Sequence, residues 1–314
     1  MVRFGICTEE QYFRLGQDRR NSTPHVAYSL LDVGEKPTEE RVRAFEDISF
    51  RLRTSNGTFR TTFPRRFHDV DEAAMKWMER IFPANSEIRV QDRAASHGLT
   101  SQEWAERVFR SFPGARFEAS DILLELFEIW RDGEAYIVEP NGRAIQFVKP
   151  PFVVSLGDAE PRRYPVNQMV ARWAKRRFER LRLGEEWMKN AEKQGFRVRR
   201  IPYIHPQARE FARTNPNFQM RVRSVFETTP EASQVIRTMN IFNRSYFSED
   251  QLTAGVNAIF RSLRPGGIWI VGRTLEEVFR NHVSLLRRGE NDWEVLERIG
   301  EGSEIERLVP GAGR

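Results

Sequence analysis

The chain has little cysteine: a single Cys7 among 314 residues excludes an internal disulfide and a thiolate metal cluster. Long hydrophobic runs are missing too. No stretch approaches the ~18 uninterrupted apolar residues that a membrane-spanning helix needs, and the opening Met1-Val-Arg-Phe-Gly-Ile-Cys-Thr-Glu-Glu lacks the apolar core of a secretory signal. These absences make the cytoplasm the default expectation. Asp, Glu and His fall at no metal-ligand spacing, so no metal site is expected. Glycine is scarce where it would be most telling. The segment Asp92-Arg-Ala94-Ala-Ser96-His97-Gly98 sits between a strand-like and a helix-like stretch, and it keeps one glycine where a nucleotide-binding turn would carry three.

What is present describes a soluble globular chain: 39% hydrophobic and 30% charged residues, with 23 Phe supplying an aromatic-rich core. The net charge of +6 is spread along the chain with one concentration between Arg162 and Arg200, a pattern of solvated arginines that argues against nucleic acid as the partner. Nothing fixes the assembly; a homodimer stays open.

Residues 1–84 read as a helical amino-terminal cap, with helices at Glu39 to Arg53 and Asp71 to Phe82. Ile88 and Val90 alternate with polar neighbours as in a strand that ends at Asp92. From Thr100 the period becomes helical through Trp104, Ala105, Val108 and Phe109, and a second strand is expected over Ala115 to Asp121. Strand, helix, strand makes one βαβ unit. The order is then interrupted over about residues 123–198 by an inserted hairpin turning at Asn141-Gly142 and a basic helix from Pro165 to Glu192. Further strands are expected near Met220 to Phe226, Gln234 to Met239 and Gly267 to Gly272. A helix beginning at Ser248 closes at Arg264-Pro-Gly-Gly267, another is expected over Leu275 to Leu286, and Asp292 to Val309 reads as a terminal hairpin around Gly302.

Two blocks carry a family resemblance. Val235-Ile-Arg-Thr-Met-Asn240-Ile-Phe-Asn243-Arg-Ser-Tyr-Phe-Ser-Glu and Ala258-Ile-Phe-Arg-Ser-Leu-Arg-Pro-Gly-Gly267-Ile-Trp-Ile-Val-Gly272 look like the fourth strand, Pro-Gly-Gly turn and fifth strand of class I S-adenosylmethionine-dependent methyltransferases. They are most similar to the branch that includes chemotaxis-receptor carboxyl methyltransferases. The resemblance covers residues 85–308 and implies an α/β fold with a Rossmann-like, mostly parallel sheet and an antiparallel carboxy-terminal hairpin. Residues 85–314 would form this domain, interrupted by the insertion.

The resemblance also implies a cofactor, S-adenosylmethionine, and an activity, methyl transfer to a small molecule or carboxylate. Asp92, Ala94, Ser96 and Gly98 would approach its amino-acid end, and Asp121 would accept its ribose hydroxyls, a role suited to a carboxylate. Ser224 stands where the family often has an acidic residue for the adenine, with Glu227 as the other candidate. Asn240 and Asn243 would lie over the sulfonium and acceptor, with Arg273 facing the same crevice. His97 is the candidate general base, ahead of His205, because imidazole titrates near neutrality. A carboxylate acceptor would need no base. Turn chemistry explains Asp92 equally well and is the competing reading of Asn240 and Asn243, for which the functional role is preferred, and Asp121 could simply cap a helix. The alternative function is a non-catalytic protein of the same fold that binds a partner through its basic insertion.

Overall fold

The computed structural model describes residues 1–16, 25–55, 57, 60–157, 162–275 and 279–311. They fall into two compact units, residues 1–61 with 123–206 and residues 62–122 with 207–311. The second unit starts before the first has ended, so each is assembled from two separate lengths of chain.

The first unit contains α1 (Glu9–Arg14) and α2 (Glu39–Ser49). Its other length of chain adds strands β3 (Glu125–Arg131), β4 (Glu134–Val138), β5 (Ala144–Lys149), β6 (Phe152–Ser155) and β7 (Arg197–Pro202). The second unit contains α3 (His68–Ile81), β1 (Arg89–Arg93), α4 (Leu99–Ser111) and β2 (Arg116–Asp121) before the excursion. Helices α5 (Pro165–Arg180) and α6 (Trp187–Lys193) belong to the first unit. After them come α7 (Pro206–Thr214), β8 (Phe218–Val222), β9 (Ser233–Met239), α8 (Glu249–Ser262), β10 (Leu263–Leu275), β11 (Arg280–Arg288) and β12 (Trp293–Ile299).

In the first unit the five strands make an antiparallel sheet in the order β6-β5-β4-β3-β7. One cluster joins α2, through Phe45 and Ile48, to Leu126, Ile137, Ile145 and Ile201; another joins α5 and α6, through Ala174, Trp187 and Ala191, to Phe127, Ile129, Tyr136 and Phe147. The expected hairpin is therefore two strands of a larger sheet. Its turn differs from the type I′ expectation: only Gly142 carries a positive φ, and the amide of Glu139 donates to the carbonyl of Arg143. The basic helix also stops at Arg180, short of Glu192, with α6 as a separate piece.

The second unit is a mixed α/β layer structure around a seven-stranded sheet in the order β8-β2-β1-β9-β10-β11-β12. The first five strands are parallel neighbours and β11 and β12 are antiparallel additions. Numbered within this sheet, the parallel strands run 3-2-1-4-5, the order of a Rossmann-like doubly wound fold. Alternation sets the two faces. Val90, Phe117, Phe218 and Val235 pack with Met75 and Met78 of α3, Trp104 and Val108 of α4 and Phe211 of α7, whereas Ile236, Trp269 and Val271 pack with Leu252, Val256 and Ile259 of α8. A capping box at Ser248 and Gln251 begins α8.

The antiparallel end differs in register from the expectation. Leu275 to Leu286 was expected to be helical, yet Arg280–Arg288 is strand β11, buried on both faces through Val283 and Leu285 on one side and Leu286 on the other. Residues 276–278 of the expected helix lie outside the described residues. The terminal hairpin turns between Arg288 and Trp293 instead of around Gly302, and Glu306–Leu308 form a short 3-10 turn. Gly272 permits the close pairing of β10 with β11, because a Cβ there would collide with the His282 carbonyl and the Val283 backbone.

Phe117 is 1% exposed, stacks on Phe218 and meets Trp104 edge-to-face. Phe117→Ala is expected to lower the stability of this unit by about 3–5 kcal/mol in urea unfolding followed by tryptophan fluorescence; a loss under about 1 kcal/mol would contradict the packing described.

Candidate functional site

The carboxyl ends of the parallel strands bring the expected site residues to one edge of the second unit. Arg93 of β1 is in register with Ser120 of β2 and with Thr238 of β9, Asp121 with Val222 of β8, and Met239 with Gly272 of β10. The segment 94–98, Asp121, Ser224, Asn240, Asn243 and Arg273 therefore all follow or end strands at this edge. Open α/β sheets bind ligands in the crevice at such an edge, where successive connections leave in opposite directions. Here that point lies between β1 and β9.

The turn after β1 adopts an unusual backbone. Ala94, Ser96 and Gly98 have φ of 62°, 53° and 84°, so two side-chain-bearing residues occupy the left-handed region beside the glycine that begins α4. Such conformations cost of order 1–3 kcal/mol each and persist only where surrounding contacts hold them. Two contacts with the end of β2 do so: the Ala95 amide donates to the Ser120 carbonyl at 3.0 Å, and the Ser96 amide donates to Asp121 Oδ2 at 2.8 Å. Asp121 is 2% exposed. His97 is also buried in this turn, at 1% exposure, and Gly98 lies against Met220 of β8.

Asp92 faces the helical layer. Arg237 of β9 donates to both its oxygens, Nε to Oδ1 at 3.0 Å and Nη2 to Oδ2 at 2.5 Å, and Ser101 Oγ donates to Oδ2 at 2.6 Å. Three protein donors thus engage the Asp92 carboxylate. The same guanidinium donates from Nη1 to Asp71 Oδ1 of α3 at 2.5 Å and from Nη2 to the Thr100 carbonyl at 3.1 Å, with its centre 4.3 Å from the Trp104 ring. Burial pushes the Asp71 carboxyl up to about 7, against the pull of Arg237. With Asp71 protonated, one guanidinium and one carboxylate remain charged and the buried centre is neutral.

The other candidates are held by turn chemistry. Asn240 takes φ 60°; its amide donates to the Gly272 carbonyl, and its Oδ1 accepts the Thr274 amide at 2.7 Å. Asn243 Oδ1 accepts the Ser245 and Tyr246 amides at 3.0 and 3.1 Å. Ser224 Oγ accepts the Phe226 amide, and its own amide donates to Glu227 Oε1. Arg273 is partly exposed and ion-paired with Glu304 at 3.5 Å. His205 lies in the first unit, fully buried and 3.2 Å from Glu46. No cluster of metal-ligating residues occurs among the described residues.

Sequence reasoning missed Arg237 and Arg93, each 1% exposed or less. A signal existed in both cases: a lone arginine inside an apolar strand, Val235-Ile-Arg-Thr-Met, and an arginine directly after the strand-ending Asp92. Arg93 donates from Nε to Gln91 Oε1 and from Nη1 to the Glu227 carbonyl, both at 2.9 Å.

Above its own ionisation range near 3.8, the unfolded chain releases the Asp71 proton that the folded chain keeps up to about 7. Stability from this group therefore falls as pH rises from about 4 to about 7 and is level beyond. Asp71→Asn is expected to remove that slope in urea unfolding across this window; parallel wild-type and variant profiles would refute the assignment.

No family model matches the chain, and no curated protein matches it. Among solved structures it is similar to the methyltransferase domain of a citrinin polyketide synthase, at 10% identity over 76% of this chain and 40% of that one, with a TM-score of 0.36. The CurJ carbon methyltransferase gives 10% identity over 74% and 40%, with a TM-score of 0.35. A Haemonchus contortus N-methyltransferase bound to S-adenosylhomocysteine gives 12% over 67% and 30%, with a TM-score of 0.30. The chain thus spans less than half the length of each. At these scores the likenesses decide nothing about activity, and the fold class rests on the strand order itself.

Proposed function

We propose that the second unit binds S-adenosylmethionine at the carboxyl edge of its parallel sheet and directs methyl transfer to a small molecule or a carboxylate. The observation that carries this reading is the turn Ala94–Gly98, held in left-handed backbone at three alternate positions and tied by Ser96 to the buried Asp121. Strain of this kind gathers where a backbone must approach a ligand. The resemblance of the Asn240 and Pro-Gly-Gly blocks to the methyltransferase family supports the same reading.

The donor set suits the cofactor. Asp121 offers carboxylate lone pairs at the end of the second strand, the position for a ribose diol, and one of its oxygens shapes the turn through the Ser96 amide. Ala94, Ser96 and Gly98 let the turn pass close to the amino-acid end. Asp92 acts through position: with Arg237 and Ser101 on its carboxylate, it fixes where β1 stops and α4 starts. Ser224 lies beyond β8 on the adenine side, with Glu227 hydrogen-bonded to its amide.

The cofactor supplies a methyl group already activated by a sulfonium centre. The protein's part is then orientation for in-line attack, which needs no general base when the acceptor is a carboxylate. In this reading Asn240 and Asn243 shape the wall after β9, and Arg273, at the end of the paired β10, holds the acceptor's negative charge in exchange for Glu304. With a carboxylate acceptor, which is already an anion, no proton need be taken, and His97 then serves as a buried packing element of the cofactor turn.

Isothermal titration with S-adenosylhomocysteine tests the reading. Saturable binding is expected, weakened about tenfold or more by Asp121→Asn, which keeps an acceptor for the Ser96 amide but loses the charge. No binding at millimolar ligand would overturn the proposal in favour of a non-catalytic protein of this fold. Undiminished affinity in the variant would remove Asp121 from the site.

A further inference from the structure

The second unit covers its sheet unequally. Helices α3, α4 and α7 lie on one face, while on the opposite face α8 lies over β9 and β10 and, among the described residues of this unit, no helix packs over β1, β2 and β8. The cause is the return from β8 to β9. Parallel strands are usually joined through a helix, but residues 223–232 make the crossing without one. A groove of about 460 Å³ remains on the bare strands, lined among others by Arg89, Gln91, Arg116, Gln219, Arg221 and Arg223. Its volume is that of a small-molecule site.

Alternation along the three strands makes this face polar throughout. Ile88 and Val90 turn inward while Arg89, Gln91 and Arg93 turn outward; Phe117 and Ala119 are inward while Arg116 and Glu118 are outward; Phe218 is inward while Gln219 and Arg221 are outward. The charge is unbalanced. Four guanidinium groups line the groove against two carboxylates, Glu118 and Glu231. Glu118 serves both Arg221 and Arg223, at 3.2 and 3.3 Å, and Glu231 pairs with Arg89. Arg116 is directly in register with Arg89, an unfavourable pairing of like charges, and has no ion-pair partner among the described residues.

Arg93, 1% exposed, lies outside the groove lining at the carboxyl end of β1, on the same strand face as Arg89 and Gln91 and bonded to the groove-lining Gln91. Its Nη2 has no hydrogen-bond partner among the described residues. Burial and the nearby Arg223 lower its pKa to about 10, so it stays charged at neutral pH beside another cation. An excess of arginines along the groove, with the buried Arg93 guanidinium held close to the groove-lining Arg223, is an arrangement that an anion would stabilise.

We propose that this groove is a second ligand site, distinct from the strand-end crevice, and that it takes a diphosphate-bearing small molecule. Arg89 and Arg116 are in register on neighbouring strands, whose backbones run about 4.8 Å apart, and two adjacent guanidinium-bearing positions suit the two phosphates of a diphosphate better than a single anionic group. The glutamines and Thr229 along the groove add neutral donors and acceptors. Nothing in this assignment depends on methyl transfer, because the groove lies along the face of the strands.

The test is isothermal titration of the whole chain with inorganic pyrophosphate and, in a second arm, ADP. Saturable one-to-one binding is expected, weakened tenfold or more in Arg116→Gln/Arg221→Gln and unchanged in Arg172→Gln/Arg176→Gln, which removes exposed charge from α5. Arg116→Gln alone serves should the double variant fail to fold, since Arg116 is exposed at the start of β2. Tighter ADP binding would identify a nucleotide as the source of the diphosphate, and equal binding the inorganic group; both uphold the site. Absence of binding at millimolar pyrophosphate, or equal weakening by the groove and α5 variants, would overturn it.

Discussion

The second unit depends on one buried guanidinium. Arg237 reaches from β9 to Asp92 of β1, to Asp71 of α3 and to the first turn of α4 at Thr100, so four elements meet on one planar cation. Desolvating such a group is expensive, and acceptors placed around it offset the cost. Here four of its five N–H donors are engaged, by a bidentate carboxylate, a second carboxyl and a carbonyl, with the face of Trp104 beside them. Removing Asp92 would strand the guanidinium charge in the interior, which ties the register of β1 to that of β9. Because Asp92 is the penultimate residue of β1, this arrangement also determines where the strained turn begins.

The strain in that turn has its own supports. Ala94 and Ser96 occupy backbone conformations that favour glycine, and the hydrogen bonds from Ala95 and Ser96 to the end of β2 keep them there. An arginine-locked strand end on one side and a carboxylate latch on the other hold the path of the turn. Glycine-rich turns reach the same path through freedom; this one reaches it through constraint.

Much of this was legible in the sequence. The alternation of Ile88 and Val90, the helical spacing from Thr100, the Pro-Gly-Gly stop and the apolar strand after it each encode a local preference that the fold keeps. Three features were not legible, for different reasons. Val283, Leu285 and Leu286 are buried from both sides, and a strand covered on both faces loses the alternation that would separate it from a helix. The ion pair of Asp92 with Arg237 joins residues 145 positions apart, where no periodicity reaches. The end of β8 at Val222, short of the expected Phe226, left no trace because Val225 and Phe226, which pack with Phe242 and Leu252 in the crossing to β9, prolong the strand-like run of apolar residues. Within the candidate site, the residue types were readable, but their engagements were not: Asp92, Asn240 and Asn243 each bond to their own fold.

The interleaving of the two units has a consequence for how the chain is made. Synthesis runs from the amino terminus, and domains tend to fold as they emerge. Here β1 and β2 leave the ribosome as a pair of parallel strands whose partners β8 and β9 lie beyond residue 217, on the far side of an entire five-stranded sheet. Helices α1 and α2 likewise wait for β3 to β7. The first unit can close once β7 has been made, whereas the core around Trp104 must stay open until β9 delivers Arg237 to Asp92. The parallel sheet is therefore completed only after every strand of the inserted sheet has been synthesised.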